Sequence, residues 1–139
     1  MSPTVVWIKA GLIESERGMV EVEVARQPEG FVLVRLAGEI DMSHRREVQK
    51  AFDDVLDAGR GAVLVDLCDL RFLAVAGVDR IDAAVGALRR QGRTVRVVCA
   101  DRGAVWRIVR LLGLDRQWPV HHDVRQAVAS LAEERPGAG

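Results

Sequence analysis

A period of two opens the readable part of the chain. In VEVEVAR, Val20 to Arg26, apolar and charged residues alternate, which predicts a strand with one wet face. Pro28-Glu29-Gly30 is turn chemistry, and FVLVRLAG, Phe31 to Gly38, reads as a second, β-branched strand, so the two form an antiparallel hairpin. The period then lengthens. Val48, Ala51, Phe52, Val55 and Leu56 recur at helical spacing, in a helix that Asp41 or Ser43 can cap and that stops near Gly59. GAVLVDLC, Gly61 to Cys68, is apolar almost throughout, as a strand buried on both faces must be. After the turn Ala74-Val75-Ala76-Gly77, a second helix carries Val78, Ile81, Ala84, Val85 and Leu88 on one face and ends at Gly92. TVRVVC, Thr94 to Cys99, is the next strand. A third helix follows, capped by Asp101, with Val105, Ile108, Val109 and Leu112 inward. QWPV predicts a short edge strand, because Pro119 gives a ladder no donor. Asp123 opens a last helix with Val124, Ala127, Val128 and Leu131 aligned.

The order ββαβαβαβα predicts a single α/β domain. Strand–helix–strand crossovers require parallel pairing and right-handed connections. The expected architecture is a mixed sheet of four to five strands faced by about four amphipathic helices, over residues 19–133. Residues 1–18 form an N-terminal extension whose VVWI is a short strand, a docking arm or a frayed tail. Residues 134–139 are expected to fray.

Composition narrows the function classes. At 139 residues the chain is long enough for one core, and its 20 basic residues balance 20 acidic ones. Zero formal charge disfavours nucleic acid and anionic membranes as general partners. There is no apolar run long enough for a transmembrane helix and no signal-peptide pattern, so a cytoplasmic location is expected.

Few residues offer chemistry. Cys68 and Cys99 are too few for a disulfide scaffold. They stand at the ends of two strands expected to be parallel neighbours, about 4.8 Å apart, near the range of a disulfide. The pair is therefore either a redox switch or two reduced apolar fillers. His121 and His122 alternate across a strand and His44 stands alone, so no metal site is expected. Asp66 and Asp69 bracket the end of a strand, either as an acid pair or as structural groups. Trp106 and Trp118 read as packing residues. Trp7 in the N-terminal segment suits a contact, and a homodimer through residues 4–13 follows as one option. No phosphate loop, catalytic triad or nucleophile elbow is present, so neither a cofactor nor an enzyme activity is expected.

Three segments, in order, resemble a known family. GEIDMS after the hairpin looks like the "GE-hydrophobic-D" segment of STAS domains, the family of bacterial anti-sigma factor antagonists. LVDLCDLRFLAVAGVDRI resembles their strand–turn–helix segment, hDhSxhxFhDSSGhxxh, where h is apolar. LLGLDRQWPV resembles TGLxxhFxV, which closes the fold. The match spans about Val20 to Leu131. The resemblance implies a regulator that docks on an anti-sigma factor, commonly a histidine-kinase-like serine kinase, and so releases a sigma factor for transcription. That kinase phosphorylates a hydroxyl in the DSSG turn, and the added charge ends binding.

The chain departs from the family at that turn. Asp-Ser-Ser-Gly is replaced by Ala74-Val75-Ala76-Gly77, so Val75 and Ala76 form a degenerate phosphorylation site. The resemblance assigns partner contacts to Asp41, Met42 and Ser43, and to Ala74, Val75, Ala76, Gly77, Val78 and Ile81. Ser43 is either a substitute phosphoacceptor or, with Asp41, a capping residue. The expected function is a phosphorylation-independent antagonist. The alternatives are a STAS scaffold subunit and a nucleotide-sensing STAS module.

Overall fold

The computed structural model describes residues 5–15 and 18–133. The expected fraying of residues 134–139 lies outside them. Six strands form one sheet in sequential order: β1 (Val6–Ser15), β2 (Gly18–Arg26), β3 (Val32–Ile40), β4 (Val63–Leu73), β5 (Val95–Val98) and β6 (Val120–His121). The first three pair antiparallel and the last four parallel. Four helices complete the fold: α1 (Arg45–Asp57), α2 (Val75–Arg90), α3 (Ala104–Leu111) and α4 (Val124–Glu133).

The expected four to five strands are corrected to six, because VVWI and the residues after it form a full-length edge strand along β2. Its sequence hides this. Trp7 and Leu12 are exposed, and Ile8 sits at an irregularity in the pairing, so no clean alternation survives.

Chirality fixes the layers. From β3 to β6 each crossover steps one strand in the same direction, so right-handed connections lay α1, α2 and α3 on one face. The main apolar cluster has that composition: Val22, Leu36, Val65 and Val97 from the sheet, with Phe52, Ile81 and Val109 from the three helices. Helix α4 follows β6 and packs Ala127 and Leu131 against Leu64 and Val98 on the other face. Strand β4 is thus buried on both sides, from Val63 through Leu67. Each such side chain contributes roughly 1.5–3 kcal/mol relative to exposure.

Three boundaries differ from the expectation. Helix α3 starts at Ala104 with Gly103 at its N-cap, and no side chain caps it, so Asp101 is not the cap. The helix ends at Leu111, and Leu112, its C-cap one residue on, is exposed. Val124 is also exposed, in the first turn of α4. The last strand begins at Val120, because Trp118 N–H bonds back to the Leu114 carbonyl and Pro119 has no N–H.

Gly38 shows why the GE segment needs glycine. Its φ is +99°, and an added Cβ would overlap the backbone carbonyl of Met19 on β2. Gly11, on β1, has nothing within 4 Å of that position. The substitution Gly38→Ala should therefore lower the unfolding free energy by at least about 2 kcal/mol, while Gly11→Ala changes it by less than about 1 kcal/mol. Urea denaturation of the two variants checks the contrast.

Candidate functional site

The site forms where β3 and β4 end side by side. Ile40 is the register partner of Leu73, and the Ala74 N–H donates to the Ile40 carbonyl at 2.9 Å. That bond sets the start of α2 beside the segment that opens α1. Two short pieces of chain far apart in sequence, Asp41–Ser43 and Ala74–Gly77, thereby share one end of the sheet.

Asp41 caps a single 3-10 turn, Met42–His44, that leads into α1. Its Oδ1 accepts from the Ser43 N–H at 2.8 Å and from the Ser43 hydroxyl. The Asp41 N–H donates to His44 Nδ1 at 3.0 Å, closing a reciprocal capping box. Because Nδ1 accepts, the neutral ring carries its proton on Nε2, which is buried without a hydrogen-bond partner among the described residues. His44, read from sequence as isolated, is thus part of the cap. Ser43 lies inside the turn with its side chain exposed, and its hydroxyl is turned onto Asp41. The Met42 side chain lies outside the described residues.

Ala74 is the N-cap of α2, in extended conformation, with no side-chain capping bond. The first turn closes through its carbonyl, which accepts from Gly77 and Val78. Gly77 is fixed by packing: an added Cβ would lie 2.8 Å from Leu73 Cδ1 and 3.1 Å from Ile40 Cγ2. Val75 is 53% exposed and Ala76 half-buried, so the surface of the turn is alkyl. Val78 and Ile81 are 1% and 0% exposed. The expectation that they contribute to a docking face is corrected, because both point into the core. The accessible residues of this helix face are Val75, Asp79, Asp82 and Ala83.

The two cysteines do not meet. Strand β4 runs on to Leu73, and an irregularity in its pairing with β3 falls between Asp66 and Asp69. Cys68 packs with the α4-side cluster, whereas Cys99 belongs to the core under the other helices. They lie on opposite faces of the sheet, and both thiols are free. Burial pushes Cys68 up to about 12, aided by Asp66, and pushes Cys99 up to about 11. Such thiols are poor nucleophiles at neutral pH.

The acidic pair also separates. Asp66 accepts from the Cys68 N–H, and Asp69 takes two bonds from Arg35 at 2.7 and 3.0 Å. Arg35 also approaches Glu21 and Glu23 on the face that α4 leaves open. His122 Nδ1 contacts the Cys99 carbonyl, and its ring meets Trp106 edge-on at 4.9 Å. Trp118 is buried and donates to Asp82. No group of three His, Cys, Asp or Glu among the described residues is arranged to hold a metal. No helix among them is long and apolar enough to cross a membrane.

A mixed sheet with a β-hairpin lead-in and a helix starting at the end of its central strand defines a class of small α/β domains. A family model described as "Mlab, STAS domain" matches residues 23–133, and the chain belongs to the STAS domain family. The fold is also that of solved anti-sigma factor antagonists. One from Mycobacterium paratuberculosis is 20% identical, with a TM-score of 0.68, and the match covers 95% of this chain and 97% of that one. A Thermotoga maritima protein, provisionally described as such an antagonist, is 15% identical with a TM-score of 0.67 and coverages of 88% and 94%. The antagonist SpoIIAA in its unphosphorylated form is 14% identical, with a TM-score of 0.54 and coverages of 91% and 100%. No curated protein matches the sequence.

Two outcomes are expected. Ala74→Asp supplies the missing cap to α2 and should raise stability by about 1 kcal/mol, read by thermal or urea unfolding. The second concerns the thiols, which the fold holds protonated above their ordinary value of 9.0. Raised folded values mean that the unfolded chain ionises first, so stability falls as pH climbs from 9.0 towards 11 and 12. The thiolate absorbance of the native protein should rise only above about pH 10, and near pH 9 in denaturant.

Proposed function

We propose that the chain is an antagonist-type regulator that docks on an anti-sigma factor or a histidine-kinase-like serine kinase, and that phosphorylation at the α2 turn plays no part in that docking. One observation carries the reading. The turn keeps the framework of a STAS switch, tied to Ile40 and closed by Gly77, but its exposed position is Val75 and its neighbour is Ala76. Neither side chain has a hydroxyl to accept a phosphoryl group.

An alkyl surface suits constant docking. Val75 stands next to the Asp41–Ser43 turn and can be desolvated against an apolar partner without burying charge. A phosphate at the same place would carry nearly two negative charges into the contact. The chain therefore behaves as the permanently unphosphorylated member of its class. Control of sigma-factor release then rests with the partner, or with the amount of this protein.

A second reading, a STAS assembly subunit, is favoured by β1. Among the described residues it is an edge strand, with Val6, Trp7 and Leu12 exposed. An edge of this kind can pair with another copy. The two readings use different ends of the sheet and predict different sensitive residues.

The test is affinity capture with the source organism's proteins, followed by binding measurements on the partner identified. The expected partner is an ATPase of the histidine-kinase type, held equally well with and without ATP. Val75→Glu should weaken it at least about tenfold, about 1.4 kcal/mol. The double variant Val75→Ser with Ala76→Ser should make binding sensitive to ATP. Recovery of only this chain or other STAS proteins, lost on Trp7→Ser and indifferent to Val75→Glu, would establish the assembly subunit instead.

A further inference from the structure

At the end of the sheet opposite the α2 turn, the loops entering β3, β4 and β5 surround a cleft of about 990 Å³ lined by Arg60 and Arg93. Glu29 lines it too, so that cleft holds charge of both signs. Arg93 there donates to the carbonyls of Gly61 and Val55 at 2.8 and 2.9 Å. The arginines of α3 and of the loop before it stand in a different setting. Arg102, Arg107 and Arg110 line a hollow of about 550 Å³ with Gly103, Trp106 and Leu111, and no carboxylate lines it.

All three of these arginines are exposed. The ion pairs among the described residues fall elsewhere, so even Asp101, next to Arg102 in the chain, forms none with it. Arg102 and Arg107 make no hydrogen bond among the described residues. Arg110 rests only over the Trp106 ring, 5.9 Å from its centroid. The C-terminal end of the hollow is apolar. Leu111 is 78% exposed, more than any other large apolar residue described, and its neighbour Leu112 is 42% exposed. The balance of 20 basic and 20 acidic residues is an average over the chain, and it conceals this local excess of positive charge.

Three unpaired guanidinium groups call for anions, and exposed leucines call for an apolar phase. Nucleic acid answers only the first demand. A bilayer of anionic lipid answers both, with phosphates at its surface and hydrocarbon just beneath. Arginine stems lie along apolar surface while their heads stay at the level of the phosphates. A protein partner would have to be shaped around Leu111, whereas a bilayer is not.

We propose that the outer face of α3 docks peripherally on anionic lipid bilayers, with phosphate headgroups on Arg102, Arg107 and Arg110 and Leu111 dipping into the interface. Three cations and one leucine make this association weak and reversible. The face is separate from the α2 turn, and its existence does not depend on the partner assigned to that turn.

Sedimentation of the full chain with lipid vesicles tests this. Phosphatidylglycerol vesicles should pellet the protein at low salt, phosphatidylcholine vesicles should not, and high salt should release it. Each arginine at an anionic surface is worth a factor of roughly five, so Arg107→Gln combined with Arg110→Gln should weaken binding at least about tenfold. Leu111→Ser should weaken it at least about threefold. Lys50→Gln, on the exposed side of α1, should change it less than about twofold, because charges away from the bilayer are screened. All the substituted residues are exposed, and circular dichroism verifies that each variant folds. Equal pelleting with phosphatidylcholine, a loss in Lys50→Gln as large as that in the arginine pair, or no pelleting at millimolar lipid would each overturn the proposal. Displacement by millimolar inorganic phosphate or polyglutamate, with Leu111→Ser binding as the parent does, would replace it with a simple anion site. Tighter retention on double-stranded DNA than on phosphatidylglycerol would replace it with a nucleic-acid surface.

Discussion

The first half of strand β4, Val63 to Leu67, cannot face water on either side, and the rest of the structure answers that constraint. Val63, Val65 and Leu67 require helices on one face, and Leu64 requires cover on the other. Right-handed crossovers bring α1 and α2 to the first face, and α4 closes the second. With β3 and β5 as parallel neighbours, the C-terminal end of β4 is left open, and α2 begins there. The location of the candidate site is therefore a consequence of burying one strand.

That location brings unrelated residues into one device. The Ala74–Ile40 bond aligns the ends of β3 and β4, so the Asp41 cap and the α2 turn become neighbours. Gly77 is required by Leu73 and Ile40 whatever the turn does. Ala74 caps α2 with no side-chain bond, and neither Val75 nor Ala76 carries a hydroxyl. The resulting surface is apolar at Val75 and cannot be altered there by a kinase.

The two ends of the sheet differ in character. The end at α2 presents alkyl groups and a satisfied capping box. The opposite end gathers Arg26, Arg60 and Arg93 around glycine-bearing loops, and the guanidinium groups of Arg26 and Arg93 donate to backbone carbonyls there. Carbonyl dipoles orient a guanidinium but do not neutralise it. This asymmetry makes the lower cleft a separate feature from the α2 turn.

The sequence by itself determined the class, the order of strands and helices from β2 onward and the absence of a hydroxyl at Val75 and Ala76. Those follow from periods of two and 3.6, from an apolar run too long for one wet face, and from residue identity at Val75 and Ala76. It did not determine β1, because an edge strand with exposed Trp7 and Leu12 lacks the burial that creates alternation. Nor did it separate surface from core on α2: Val75 and Val78 are the same residue type, and only the packing of α2 on the sheet makes one exposed and the other buried. The cysteines needed the fold as well. Their spacing along neighbouring strands suggested proximity, but the β4–β5 register, with Asp66 opposite Val98, gives Cys68 and Cys99 opposite parity and puts them on opposite faces. The cleft lined by Arg60 and Arg93 was invisible for the same reason, since these come from the separate loops before β4 and β5 and meet only when the two strands lie parallel with their starts together.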